Sequence, residues 1–250
     1  MTIDNFDIIR RHLEFKSDFD RYIVHIIKRA KDEDGKKYGV NQTNRLLKTF
    51  YITSTEYFDK KIPVIKDLCE TNNARAYILP QVRDNSACLK ELLKIVVDNL
   101  DNPTIKPDHL IRSAYCGYHG SRDKKWILDL DFDNMTEYKT QMGFPGDQEI
   151  KKEWTYEQVL ELVKEMLVQC GKMEDDAYMI PTKNGMCIIT SPFDLKKAYN
   201  RCHMFYEGQT KMCVDRRYTG PGEWEPVQKD VNGWLIKDGM ALIYFNGEEK

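Results

Sequence analysis

The stretch WILDLDFDN, residues 126–134, decides how this chain is read. Trp126, Leu128, Leu130 and Phe132 alternate with Asp129, Asp131 and Asp133. Strand geometry sends alternate residues to opposite faces, so the three carboxylates share a face at a spacing of about 7 Å. Like charges in a row repel one another. A divalent cation relieves that repulsion, and carboxylates are the ligands Mg²⁺ and Mn²⁺ prefer. Two aspartates on one strand holding a metal, with substrate phosphates completing the shell, is a recurring phosphoryl-transfer arrangement. Asp133 stands next to a turn and is the weakest of the three as a ligand. The bland alternative is the solvated face of an edge strand.

Downstream, MIPTKNGMCIITSPFD (179–194) reads as two apolar strands around a Lys-Asn-Gly turn. Lys183 is suited to a phosphate, and Gly185 lets backbone approach a ligand closely. Cys187 shares the face of Gly185 and Ile189. A plain hairpin with an exposed lysine and a buried thiol explains the same residues.

Strands are expected at 21–30, 47–53, 74–79 (stopped by Pro80), 125–132, 177–181 and 185–190. Helices are expected at 3–15, 55–72 with Ser54 as its cap, 86–100, 156–171 and 192–199. Residues 234–236 and 241–245 suggest a hairpin, and 210–230 is the least regular segment. Asn, Asp and two prolines near 101–107 mark a boundary between lobes 1–104 and 105–250. Interleaved strands and helices imply an α+β or α/β fold with a mixed sheet.

A composition of 41% hydrophobic and 31% charged residues suits a globular core without disulfide support. The net charge of -2 excludes binding to nucleic acid by bulk charge and requires a local basic face instead. Arg216, Arg217, Tyr218 and Trp224 form such a basic-aromatic segment. No run of about 18 apolar residues predicts a membrane span. Seven scattered cysteines suit reduced thiols in a cytoplasmic setting better than disulfides or a zinc site, for which Cys116 and His119 offer the one tight pair.

In order and context, three segments resemble the archaeo-eukaryotic primase superfamily, specifically its small phage and mobile-element members. They are the D-x-D at Asp129 and Asp131, the TKNGMCIIT–SPFD segment, and an amino-terminal lobe containing IIKRAKD, FYITSTEYF and NARAYILPQVR. The resemblance implies an α+β, two-lobed fold, with an α/β lobe packed on an RRM-like lobe. It also implies a nucleotidyltransferase of nucleic-acid synthesis that uses Mg²⁺ or Mn²⁺, nucleoside triphosphate, and DNA or RNA. Asp129 and Asp131 would be the catalytic metal ligands, with Asp238, or alternatively Asp215, as the third acid. Lys183, Asn184, Gly185, Cys187 and Arg75 would meet the nucleotide. Cys187 stands where the family carries a histidine, and the third acid lies outside an evident strand. A catalytically degenerate relative that binds nucleic acid or protein is the competing expectation. A polymerase-β-type layout, with Gly120–Ser121 ahead of the aspartates, is a third.

Overall fold

The computed structural model describes residues 2–29, 44–116, 123–139, 150–153, 156–183, 185–193, 210–211, 215–220, 223–227, 231–237 and 239–247. The chain is α+β with antiparallel pairing, and it divides into two compact units: Met1–Lys124 with Leu242–Lys250, and Lys125–Ala241.

In the first unit, β1 (Thr2–Asp4) precedes α1 (Phe6–Arg11). A continuous helix over 3–15 does not form, because Ile3 pairs with Phe245 on the last strand. The Asn5 amide side chain is buried and donates to the Leu242 carbonyl at 2.9 Å, which turns the chain from strand to helix. β2 (Asp20–Lys28) and β3 (Arg45–Ile52) follow as an antiparallel pair.

The helix α2 (Thr55–Asn72) has the expected limits. Ser54 Oγ accepts from the Tyr57 amide at 3.1 Å. At the other end Asn73 takes the left-handed conformation, φ 46°, and Ala74 N–H returns to the Cys69 carbonyl. Ser54→Ala should cost about 1 kcal/mol, because it orphans an amide in the first turn. Urea unfolding of the variant checks this; an unchanged midpoint would remove the cap from the account.

β4 (Arg75–Asp84) runs through Pro80 rather than stopping at it. Its register against β2 moves from Ile23↔Leu79 to Arg21↔Arg83, so residues 80–82 stand opposite Tyr22 alone. A proline without an N–H is tolerated at such a bulge. α3 (Asn85–Asp98) starts at Asp84, whose carboxylate accepts from the Ala87 amide at 2.9 Å. α4 (Pro107–Cys116), which the sequence pattern did not suggest, packs against α3.

Ile23, Leu79, Cys88, Ala114 and Tyr115 form one core cluster. Val24 and Ile26 are fully buried as well, so both faces of β2 are covered. The cluster places α4 with the first unit. The amino-terminal part of that unit runs to Lys124.

The second unit begins with β5 (Trp126–Lys139) and β6 (Ile150–Glu153). α5 (Tyr156–Gln169) ends in a Schellman closure. Lys172 N–H bonds to the Leu167 carbonyl and Gly171 N–H to the Val168 carbonyl, with Gly171 at φ 73°. β7 (Ala177–Pro181) and β8 (Gly185–Thr190) follow. The chain continues through β9 (Thr210–Lys211), β10 (Asp215–Gly220), β11 (Glu223–Val227) and β12 (Val231–Lys237) to β13 (Ala241–Asn246). Three strands thus occupy the segment expected to be least regular. The helix expected over 192–199 lies outside the described residues from 194 onward.

One sheet has the order β1-β13-β4-β2-β3 and a second the order β7-β8-β5-β12-β9, with β6 on the far end of β5; β10 and β11 pair by themselves. The hairpin expected from 234–245 does not form. β12 pairs with β5 and β9, whereas β13 pairs with β1.

Candidate metal and nucleotide site

β5 is a central strand, flanked by β8 and β12. Its aspartates therefore do not decorate a sheet edge. Ile127 and Leu128 point to opposite faces and each is 2% exposed, so both faces are covered at this level. Toward Asp129 the same strand becomes half-buried, as an apolar core gives way to charge.

Register brings the two segments singled out in the sequence together. Asp129 pairs with Cys187, and Asp131 with Gly185, the last pair of the β5–β8 ladder. Directly opposed residues share a face. On the same row Ile180 of β7 lies beyond Cys187, and Trp234 of β12 stands opposite Asp129 on the other side. Gly185 adds no side chain beside Asp131, which is placed by its backbone.

The acidic strand bulges next to this row. Leu130 pairs with Gly233 and Met135 with Val231, so residues 131–134 face Asn232 alone. Bulges re-aim side chains and recur beside functional sites. Alternation had placed Asp129, Asp131 and Asp133 in one line; the bulge breaks that line after Asp131. A glycine inside a strand pattern is a bulge signal, and Gly233 carried it.

Cys187 is 3% exposed. Burial, reinforced by the Asp129 charge, pushes its thiol well above the ordinary cysteine range. It is a neutral, packed group at pH 7, and a thiol is a weak hydrogen-bond donor. Lys183 is exposed, in the turn that Thr182 N–H closes on the Gly185 carbonyl at 2.9 Å. Asn184, Asp238 and Gly120–Ser121 lie outside the described residues.

Three further residues singled out in the sequence belong to other elements. Arg75 belongs to β4 in the first unit; it is 5% exposed, and its guanidinium lies 4.6 Å from the centre of the Phe245 ring. Asp215 opens β10, which belongs to neither of the larger sheets. Cys116 ends α4, and its partner in the tight Cys-His pair, His119, lies outside the described residues.

Among the described residues no group of three or more His, Cys, Asp or Glu side chains stands ready to hold a metal. Asp129 and Asp131 stand at neighbouring same-face backbone positions of β5, and a carboxylate pair at that spacing could hold Mg²⁺ or Mn²⁺ only with further oxygen donors. Among the described residues no helix is long and apolar enough to cross a membrane. No protein-family model, curated protein or solved structure matches this chain.

Proposed function

We propose that this chain is a divalent-metal-dependent nucleotidyltransferase of the primase-polymerase type, with the two-lobed organisation of the archaeo-eukaryotic primases. The observation that carries the reading is the register of Asp129 with Cys187 and of Asp131 with Gly185. That register supports a reading in which the acidic strand and the neighbouring Lys-Asn-Gly turn serve one ligand, the carboxylates through a metal and Lys183 through phosphate.

Asp129 and Asp131 would hold Mg²⁺ or Mn²⁺, with Asp238 as the candidate third acid. The bound ion supplies charge neutralisation for the triphosphate and a lowered pKa for an attacking 3′-hydroxyl. Lys183 steadies the phosphates, and the backbone at Asn184–Gly185 approaches them closely. Cys187 supports this site by packing beneath it. The setting is reducing and cytoplasmic, a reading supported by free thiols at Cys69, Cys88, Cys170 and Cys187. Calorimetric titration of nucleoside triphosphate with Mn²⁺ into wild type and Asp129→Asn/Asp131→Asn tests the proposal. Equal affinity in the two would end it.

A second reading, a degenerate member that binds nucleic acid without catalysis, is favoured by the β10–β11 ribbon. Tyr218 is paired with Trp224, and Arg216 with Pro226, which puts two aromatics and an arginine on one face. Arg217 and Glu225 oppose each other on the reverse face. Aromatic faces stack on bases, and arginine meets the phosphates between them. Trp224→Ala is expected to weaken single-stranded oligonucleotide binding roughly tenfold. Fluorescence anisotropy with a labelled oligonucleotide reads this directly; unchanged affinity would argue against the ribbon. Labelled-nucleotide primer synthesis separates the two readings, since only the first produces extended product.

A further inference from the structure

We propose that the His25 face of the first sheet is a phosphate-binding site, at which Arg29, Arg112 and the Tyr77 hydroxyl hold a phosphate carried by a free small molecule or by a nucleic-acid strand. Alternation along three neighbouring strands builds it. On β2 the residues of this face are Ile23, His25 and Ile27. Their partners are Leu79, Tyr77 and Arg75 on β4, with Tyr51 and Thr49 opposite the first two on β3. Directly opposed residues share a face. At the level of Ile23 the face is covered by α3 and α4, where Cys88, Ala114 and Tyr115 close an apolar cluster over Ile23 and Leu79. Two residues along each strand the apolar side chains end, and His25, Tyr77 and Thr49 take their place.

Two arginines reach this polar row from different elements. Arg29, just past the end of β2, donates from Nη1 to the Tyr77 hydroxyl at 3.4 Å. The hydroxyl oxygen accepts there, which leaves its own proton for a second acceptor. Arg112 comes from α4, close enough for its charge to disfavour protonation of His25. Tyr77 and His25 stand opposite each other, and their side chains start about 5 Å apart. The two guanidinium groups thus attend adjoining side chains, and among the described residues no carboxylate pairs with either. Arg75, the next β4 residue on this face, is held against the Phe245 ring. Phosphate oxygens match the planar fork that arginine offers, and the hydroxyl proton adds a further donor. Exposure is graded to suit a ligand entering from solvent: Arg112 is exposed, Arg29, Tyr77 and Thr49 are half-buried, and His25 is buried beneath them. Burial and Arg112 hold the His25 ring neutral, with a pKa of about 4. A bound anion beside it favours the charged ring and raises that value.

Titrations of the full chain in EDTA, which takes any metal on the acidic strand out of play, test this with two probes: inorganic phosphate and a thymidine octanucleotide. Binding is read by NMR from the His25 ring signal, assigned by its loss in His25→Asn. His109, exposed one turn ahead of Arg112 on α4, gives a signal of its own. Inorganic phosphate is expected to bind with a dissociation constant on the order of 1 mM. At pH 5 the protonated share of His25 should rise about fivefold at saturation, as when its pKa climbs from about 4 to about 5. Arg29→Gln and Arg112→Gln should each weaken binding about tenfold, the loss of one charge-assisted contact, with circular dichroism verifying that both fold. Saturation by inorganic phosphate assigns the site to a free small phosphate, and a response to the octanucleotide alone assigns it to a strand backbone. The proposal is overturned if neither probe binds at about 10 mM phosphate or about 100 μM octanucleotide. Equal affinity in wild type and both arginine variants overturns it too, as does binding that leaves the His25 ring unmoved. The site lies wholly in the first unit and the acidic strand in the second, so the two readings fail separately.

Discussion

Asparagine at both Asp129 and Asp131 is expected to weaken Mn²⁺-dependent nucleoside triphosphate binding at least about a hundredfold, given that losing even an outer-shell partner of a metal costs tenfold or more. The physical basis is narrow. The two positions share one face of a central strand, and they pair with Cys187 and Gly185 on the neighbouring strand. Asparagine keeps the shape of aspartate and removes the charge that a hard cation requires. Thermal stability without metal should be unchanged or slightly raised, since the change relieves repulsion between neighbouring acids. Lys183→Ala should weaken binding by about tenfold by removing one charge-assisted phosphate contact. Triphosphate affinity that survives the double asparagine variant would show that the nucleotide, if bound at all, uses another surface.

The parts of this site were legible in the sequence, whereas their meeting was not. WILDLDFDN announces a strand with acids on one face by local alternation, and KNG announces a turn. The pairing of Asp129 with Cys187 depends on a register between strands about sixty residues apart in the chain, and no local pattern carries that. Helix limits set by short-range chemistry were legible for the same reason: Ser54 and Asn73 bracket α2 by hydrogen bonds to residues within one turn. Failures came where a distant partner decided the outcome. Ile3 belongs to a strand because Phe245 lies beside it. Pro80 stays in β4 because β4 bulges there against β2. Residues 234 and 241 look like hairpin arms, yet the strands that contain them join different sheets. The bulge at 131–134 belongs to this class too, since it exists only relative to β12.

The first unit should lose stability between about pH 6.5 and pH 4 through His25, by about 3 kcal/mol over the whole window, from the ordinary 1.36 kcal/mol per pH unit. His25 lies on β2 between Thr49 of β3 and Tyr77 of β4, and it is 5% exposed. Its Nδ1 is 3.0 Å from Thr49 Oγ1, a contact the neutral ring satisfies. Burial, aided by the positive charge of Arg112, lowers its pKa from 6.5 to about 4. In the unfolded chain the ring regains the ordinary value. Between the two values the unfolded state therefore binds the extra proton and the folded state does not. Linkage then makes stability rise with pH across this window and fall as acid is added. Above pH 6.5 neither state is protonated and the contribution vanishes. His25→Asn removes the titration while keeping a polar atom near the Thr49 hydroxyl. Urea unfolding at pH 7 and pH 4.5 should show the variant losing roughly 2 kcal/mol less than wild type between those two conditions. The comparison cancels carboxylates common to both proteins, so the difference reports the histidine alone. Parallel losses in the two proteins would mean that the His25 ring is protonated within the fold at pH 4.5, and that Thr49 and Arg112 do not hold it neutral.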